Sequence, residues 1–253
     1  MPIRERILVM GGPGAGKSFQ WLKMAEALKS SKFYVIDTDE AIPFMLETLF
    51  PHLKSENGGN VYVRQAYDWP LYEKSFEWAV KSAREQDWII VDMVDNAWSS
   101  AQKYYIGEVF DKDMGHFLLE ARKVMPEGAK SLMRFALEGW NDWSVVNKLY
   151  DDCILPIIYR TKCHVYMTTK VQEIGKQDSR ELKLLFGSLG LRPSGQKNLG
   201  HQAHTVLLFS FDGNNVWRVT TAKDRGGRQH FDNVRLINFY QQYLVAKAGW
   251  PMP

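Results

Sequence analysis

Ile7-Leu8-Val9-Met10 runs without a polar side chain into Gly11-Gly12-Pro13-Gly14-Ala15-Gly16-Lys17-Ser18. A short continuous apolar run fits a strand buried on both faces. The octapeptide after it matches G-x-x-x-x-G-K-S/T. Glycines there let the backbone take positive φ and bring its N–H groups onto phosphate oxygens. Lys17 supplies a cation for β- and γ-phosphates, and Ser18 a hydroxyl for Mg²⁺. A helix starting at Lys17 points its positive end at the same anion. Strand, glycine turn and helix in this order predict a nucleotide site over residues 11–19, with Phe19 just behind the motif.

The rest of the chain repeats that alternation. Phe33-Tyr34-Val35-Ile36, Val61-Tyr62-Val63, Trp88-Ile89-Ile90-Val91 and Val165-Tyr166-Met167-Thr168-Thr169 read as strands. The intervening segments carry helical spacing, including 72–85 and one with Phe44, Leu46 and Leu49. Such a pattern predicts an α/β fold, a mostly parallel central sheet with helices on both faces. Thr205-Val206-Leu207-Leu208-Phe209 and Val216-Trp217-Arg218-Val219-Thr220 flank Asp212-Gly213-Asn214-Asn215 and predict a C-terminal β-hairpin. Residues 96–160 read as a helical stretch, punctuated by Gly128 and Gly139. Residues 170–203 read as a long, mobile basic loop with little local structure, and 233–248 as a closing helix. At 253 residues and 45% hydrophobic, residues 1–253 fit one domain with a substantial core.

Charge narrows the partners only slightly. Lys and Arg total 32 against 29 Asp and Glu, a net +3. An excess this small permits nucleic-acid binding without arguing for it. Within 170–197, however, Lys170, Lys176, Arg180, Lys183, Arg192 and Lys197 face Glu173, Asp178 and Glu181, so this one segment carries an excess equal to that of the chain. Such a loop can follow a phosphate backbone. Cys153 and Cys163 have neither a disulfide framework nor metal-ligand spacing, and His201 and His204 lack a partner at ligand spacing. The charged start and the lack of a long apolar run predict a cytoplasmic protein with no membrane span.

Several polar groups fall at strand ends, where a bound nucleotide would meet them. Asp92 closes its strand and can hold the water shell of Mg²⁺. Asp95, just beyond, reads as a cap of the next helix. Asp37-Thr38-Asp39-Glu40 closes the second strand, and Asp39 or Glu40 can orient an attacking water. Thr168, Thr169 and Lys170 stand where a polar group can sense a γ-phosphate. Lys223 and Arg225, in Lys223-Asp224-Arg225-Gly226, pair two cations beside a strand, which suits neutralising phosphate charge in a transition state, in a ring that of a neighbour.

The order of these parts resembles the RecA-like P-loop ATPases. Val35-Ile36-Asp37-Thr38-Asp39 is similar to the segment carrying the catalytic glutamate in RecA, which puts that acid on Asp39, one methylene shorter, with Glu40 as the substitute. Ile89-Ile90-Val91-Asp92 resembles the RecA magnesium strand. Lys223-Asp224-Arg225-Gly226 resembles the Lys-Asn-Arg-x-Gly signature of RadA and the finger of DnaB-type helicases, where the cations act across a subunit boundary. The compact size most resembles phage-encoded RecA-like ATPases, some of them Sak-type single-strand annealing proteins. The resemblance implies ATP and Mg²⁺ as cofactors, single-stranded DNA and a homo-oligomeric ring or filament as partners, and a bacterial host cytoplasm if phage-encoded.

Two other readings share the nucleotide residues. A phage or mobile-element packaging or translocation motor differs only in its partner. A small-molecule P-loop kinase needs an acceptor pocket and an arginine lid, which 170–197 would have to provide. A GTPase is disfavoured: Met93-Val94-Asp95 follows Asp92 without the glycine at the third place, and Thr169-Lys170-Val171-Gln172 lacks the acid that reads guanine.

Overall fold

The computed structural model describes residues 3–127, 132–137, 139–228 and 230–252; Gly128 lies outside them. The expected first strand, β1 (Arg6–Gly11), feeds α1 (Lys17–Ala27) through the glycine turn. Next come β2 (Phe33–Asp37), α2 (Ala41–Thr48), β3 (Val61–Gln65), α3 (Trp69–Ser82) and β4 (Trp88–Asp92). Asp68 starts α3 by accepting the Leu71 N–H at 2.9 Å. The helical stretch resolves into α4 (Val94–Phe110), α5 (Met114–Val124), α6 (Leu132–Ala136) and α7 (Gly139–Leu155). It wraps its own small core of Tyr105, Ile106, Phe117, Leu137 and Val146. β5 (His164–Thr169) returns the chain to the sheet.

Residues 170–203 differ from the expected loop. They form β6 (Val171–Glu173), α8 (Arg180–Phe186), β7 (Leu191–Pro193) and α9 (Leu199–Gln202), with β6 and β7 antiparallel. Ser179 caps α8 through the Leu182 N–H. Leu182, Phe186 and Leu199 are buried, and Arg192 Nε donates to Asp178 at 3.0 Å with both side chains buried. Turn-forming residues hid a helix only two turns long, too short for its buried pair Leu182 and Phe186 to stand out as a period among Leu184 and Leu185.

The predicted hairpin is β8 (Thr205–Phe211) and β9 (Trp217–Asp224). The closing helix is a second correction. Val234–Arg235 forms β10 against β9, and Asn233 before it takes φ 52°, so no helix runs through these residues. A short π-helical turn, Tyr240–Val245, follows. Phe239, Tyr240, Tyr243 and Leu244 are all buried there, a spacing that a wider turn brings onto one face.

The main sheet runs in the order β10-β9-β8-β1-β5-β4-β2-β3. From β8 across to β3 the strands are parallel, while β9 runs back against β8. Alternate side chains of β1 enter opposite cores: Ile7 and Val9 meet α1 and the C-terminal turn, Leu8 and Met10 meet the α3–α7 side. Each buried aliphatic side chain contributes about 1.5–3 kcal/mol. No helix among the described residues is long and apolar enough to cross a membrane.

All the parallel strands end on one edge, so the glycine loop, Asp37, Asp92 and Thr169 share it. β5 separates β1 from β4. Asp178→Ala leaves the buried Arg192 guanidinium unpaired, at a cost of about 3–5 kcal/mol. Hydrogen exchange should accelerate over 171–193 while the protection of β1 and α1 is retained.

Candidate functional site

A cavity of about 710 Å³ opens at that edge, lined by Pro13, Gly14, Ala15, Gly16, Lys17, Ser18 and Phe19 along the loop and the start of α1. Gly16 has φ +83°, a left-handed conformation that leads directly into α1. Gly11 is demanded by space: a Cβ there would lie 2.5 Å from the Phe209 carbonyl oxygen of β8. The first helical N–H groups have no intrahelical acceptors and suit an anion.

Lys17 is buried and donates to the carbonyls of Gly11 at 2.9 Å and Gly12 at 3.0 Å. Burial pulls its ammonium below the usual lysine range, against the nearby carboxylates of Asp92, Asp95 and Asp39. Asp92 is 1% exposed. One of its oxygens accepts Trp21 Nε1–H at 3.0 Å and the other the Thr168 hydroxyl, and the nearby Ser18 hydroxyl favours its charged form. Burial pushes the Asp92 carboxyl up, opposed by those three donors.

Ser18 and Asp92 therefore lie close together. A hydroxyl and a carboxylate are hard oxygen donors that fit Mg²⁺, which keeps several waters and takes its other ligands from phosphates. Among the described residues no three His, Cys, Asp or Glu side chains converge as a closed cage.

The second acidic strand end divides its roles. Asp39 lines the cavity, whereas Glu40 flanks α2 at φ 60° and is not among the lining residues. Asp37 is fully buried beside Asp92 in the strand register, and its Oδ2 has no hydrogen-bond partner. Burial pushes its carboxyl up to about 7, opposed by the Asp39 N–H and reinforced by the charges of Asp39 and Asp92. Thr38 staples the two strand ends, accepting the Met93 N–H at 2.7 Å and donating to the Met93 carbonyl at 3.1 Å.

Three other expectations land differently. Asp95 does not cap α4, which starts at Val94; it sits buried inside the first turn, 3.6 Å from Lys170 Nζ. Thr168 is committed to Asp92, and Thr169 donates to the Ser194 carbonyl at 3.1 Å, so of this trio only Lys170 lines the cavity. Lys223 and Arg225 lie at the opposite edge of the sheet. β9 pairs Asp224 with Thr205, which is level with Ile7, about 13 Å down the strands from Gly11. Lys223 gives its ammonium to the carbonyls of Gly200, His201 and Ala203 at 2.7–2.9 Å. Burial, then Arg225, pull it down to about 8, while those three acceptors favour the charged form. Neither cation reaches the site of its own chain.

Nothing in the sequence pointed to the rest of the cavity wall. Met45, Met93, Asn215, Trp217, Arg235, Leu236 and Ile237 complete the cavity. A predicted hairpin implies that Trp217 starts a strand, but only the β1–β8 pairing brings it to the glycine loop.

No protein-family model and no curated protein matches the chain. The crystal structure of the RadB recombinase aligns with 88% of this chain and 83% of its own, at 11% identity and a TM-score of 0.46. A likeness of that size leaves the functional reading to the residues themselves.

Asp37 generates a pH prediction. The folded chain holds its proton up to about pH 7, whereas an ordinary carboxyl releases it near 3.8. Its contribution to stability is therefore full below about 3.8 and is lost as pH rises through 7. In Asp37→Asn, denaturant unfolding should lose this downward slope of stability with pH.

Proposed function

We propose that the chain is a Mg²⁺-dependent ATPase of the RecA-like type, acting on single-stranded DNA as a homo-oligomer. The observation that carries the nucleotide part is the meeting of Ser18 and Asp92 beside a glycine loop with free helix-start amides. The loop amides bind the phosphate tail, and Lys17 exchanges its two carbonyls for β- and γ-phosphate oxygens. Mg²⁺, when bound, neutralises charge that develops between those phosphates. Ser18 and Asp92 would hold it, with Thr168 and Trp21 fixing the carboxylate.

Asp39 is the better candidate to orient the attacking water, because it faces the cavity and Glu40 does not. Its shorter side chain sets the carboxylate one methylene farther back than a glutamate. Arg225 is exposed, donating one bond to the His201 carbonyl at 2.8 Å. With Lys223 saturated at three carbonyls, Arg225 is the cation free to enter a neighbour's site. Both residues sit on the edge opposite the cavity, so a head-to-tail assembly is the arrangement in which they serve catalysis.

The DNA part rests on the resemblance and on one surface. Lys170, Lys176, Arg180, Lys183 and Lys197 are exposed, while Arg192 is withdrawn into its pair with Asp178. Five exposed cations on a folded segment that leaves the site edge directly after β5 suit contacts to a phosphate backbone.

Lys17→Ala should abolish ATP turnover, and full activity in that variant would remove the reading. Single-stranded DNA should raise the wild-type ATPase rate and the particle size together; stimulation only by duplex DNA would favour the translocation motor. Arg225→Ala should lower kcat by about a thousandfold with little change in nucleotide affinity. Mixing it with Lys17→Ala should restore part of the activity, because one mixed interface joins an intact site to an intact arginine. No rescue would count against a role for Arg225 in a neighbour's site.

A further inference from the structure

We propose that Trp217 is a positioning residue that latches the glycine loop to the β8–β9 hairpin, so that grip on the phosphate tail depends on the hairpin. The inference rests on the nucleotide-binding reading of this cavity.

Trp217 Nε1–H donates to the Gly14 carbonyl at 2.8 Å, joining residues 203 positions apart. Its indole also packs on the loop: a Cβ on Gly16 would lie 3.3 Å from Trp217 Cδ1. Holding the Gly14 carbonyl toward the indole fixes the peptide that follows, whose Ala15 N–H closes the turn on the Gly12 carbonyl at 3.3 Å, so the loop keeps its curvature around an anion. Among the described residues no other group donates to that carbonyl.

The indole is itself held from behind. The Phe211 ring lies 5.1 Å away on the paired strand, and the Leu236 N–H donates to the Trp217 carbonyl at 2.7 Å. From Leu236 the chain continues to Phe239, whose N–H donates to Gln20 Oε1 on α1 at 2.8 Å. Gly14, Trp217, Leu236, Phe239 and Gln20 thus close a ring around the cavity mouth, from the loop through the hairpin and back to the helix that the loop begins. Trp217 is half-buried and lines the cavity, so it stands between solvent and the loop rather than in the core.

The discriminating probe is inorganic tripolyphosphate, which has a phosphate tail and no base. Trp217→Phe keeps a ring and removes the donor. Its affinity for tripolyphosphate and for MgATP should fall by the same factor, about five- to tenfold, with the free protein still folded and unfolding cooperatively. Weakened MgATP with undiminished tripolyphosphate would mean that the ring only stacks on a base, and would overturn the latch while leaving the nucleotide reading intact. A wild-type chain that takes up neither ligand removes both. In the wild-type chain, independent of any variant, tripolyphosphate should slow amide exchange over 211–219 as well as 11–18. Slowing confined to 11–18 overturns the proposal.

Discussion

Asp92 is the point at which the molecule's two requirements meet. Its carboxylate is taken out of water at the end of β4, and the two neighbouring elements each give it a hydrogen-bond donor, Trp21 from α1 and Thr168 from β5, while Ser18 of α1 also favours its charged form. An unpaired carboxylate in that position would cost several kcal/mol. With its donors in place, it instead fixes how the helix after the glycine loop sits on the sheet. Trp21 therefore does two jobs with one side chain, filling the core and aiming an acid. The same contact brings the Ser18 hydroxyl to the carboxylate, which a hard divalent ion would exploit.

Around this point the site gathers acids more than cations. Asp37, Asp39, Asp92 and Asp95 cluster near the single buried Lys17. The carboxylates oppose the burial that pulls the lysine down, and Asp37 stays neutral up to about pH 7. Phosphate charge entering the loop would be met by Lys17, backbone amides and the helix dipole, with Lys170 and Arg235 at the cavity wall. A second copy would have to bring any further cation, since Lys223 and Arg225 belong to the other edge of the sheet.

What could be read from the residues alone was what is local in the chain. Ile7 to Met10 announced a doubly buried strand, the octapeptide after it announced its turn, and Asp92 declared itself by ending an apolar run. Features set by strand order stayed hidden. Nothing near Trp217 in the sequence states that β8 lies beside β1, and so nothing predicts an indole over Gly16. Asp37 stood out only as the first of the acids that close the second strand, yet its register with Asp92 buries it. The helical reading of 233–248 failed because a pair of residues preferred to complete the sheet edge and the aromatic cluster after it preferred a wider turn. The segment 170–203 looked unstructured because its helix is too short to show periodicity; its order comes from Asp178 and Arg192, a pair visible only in three dimensions.

The central claim is that residues 11–18 grip the triphosphate tail of a nucleotide with Mg²⁺ at Ser18 and Asp92. Isothermal titration of the wild-type chain with a slowly hydrolysed ATP analogue tests it most directly, run once with Mg²⁺ and once with EDTA. The account predicts saturable uptake of one nucleotide per chain, tighter with the metal, and a loss of that metal dependence in Asp92→Asn. No saturable heat in either condition would contradict it.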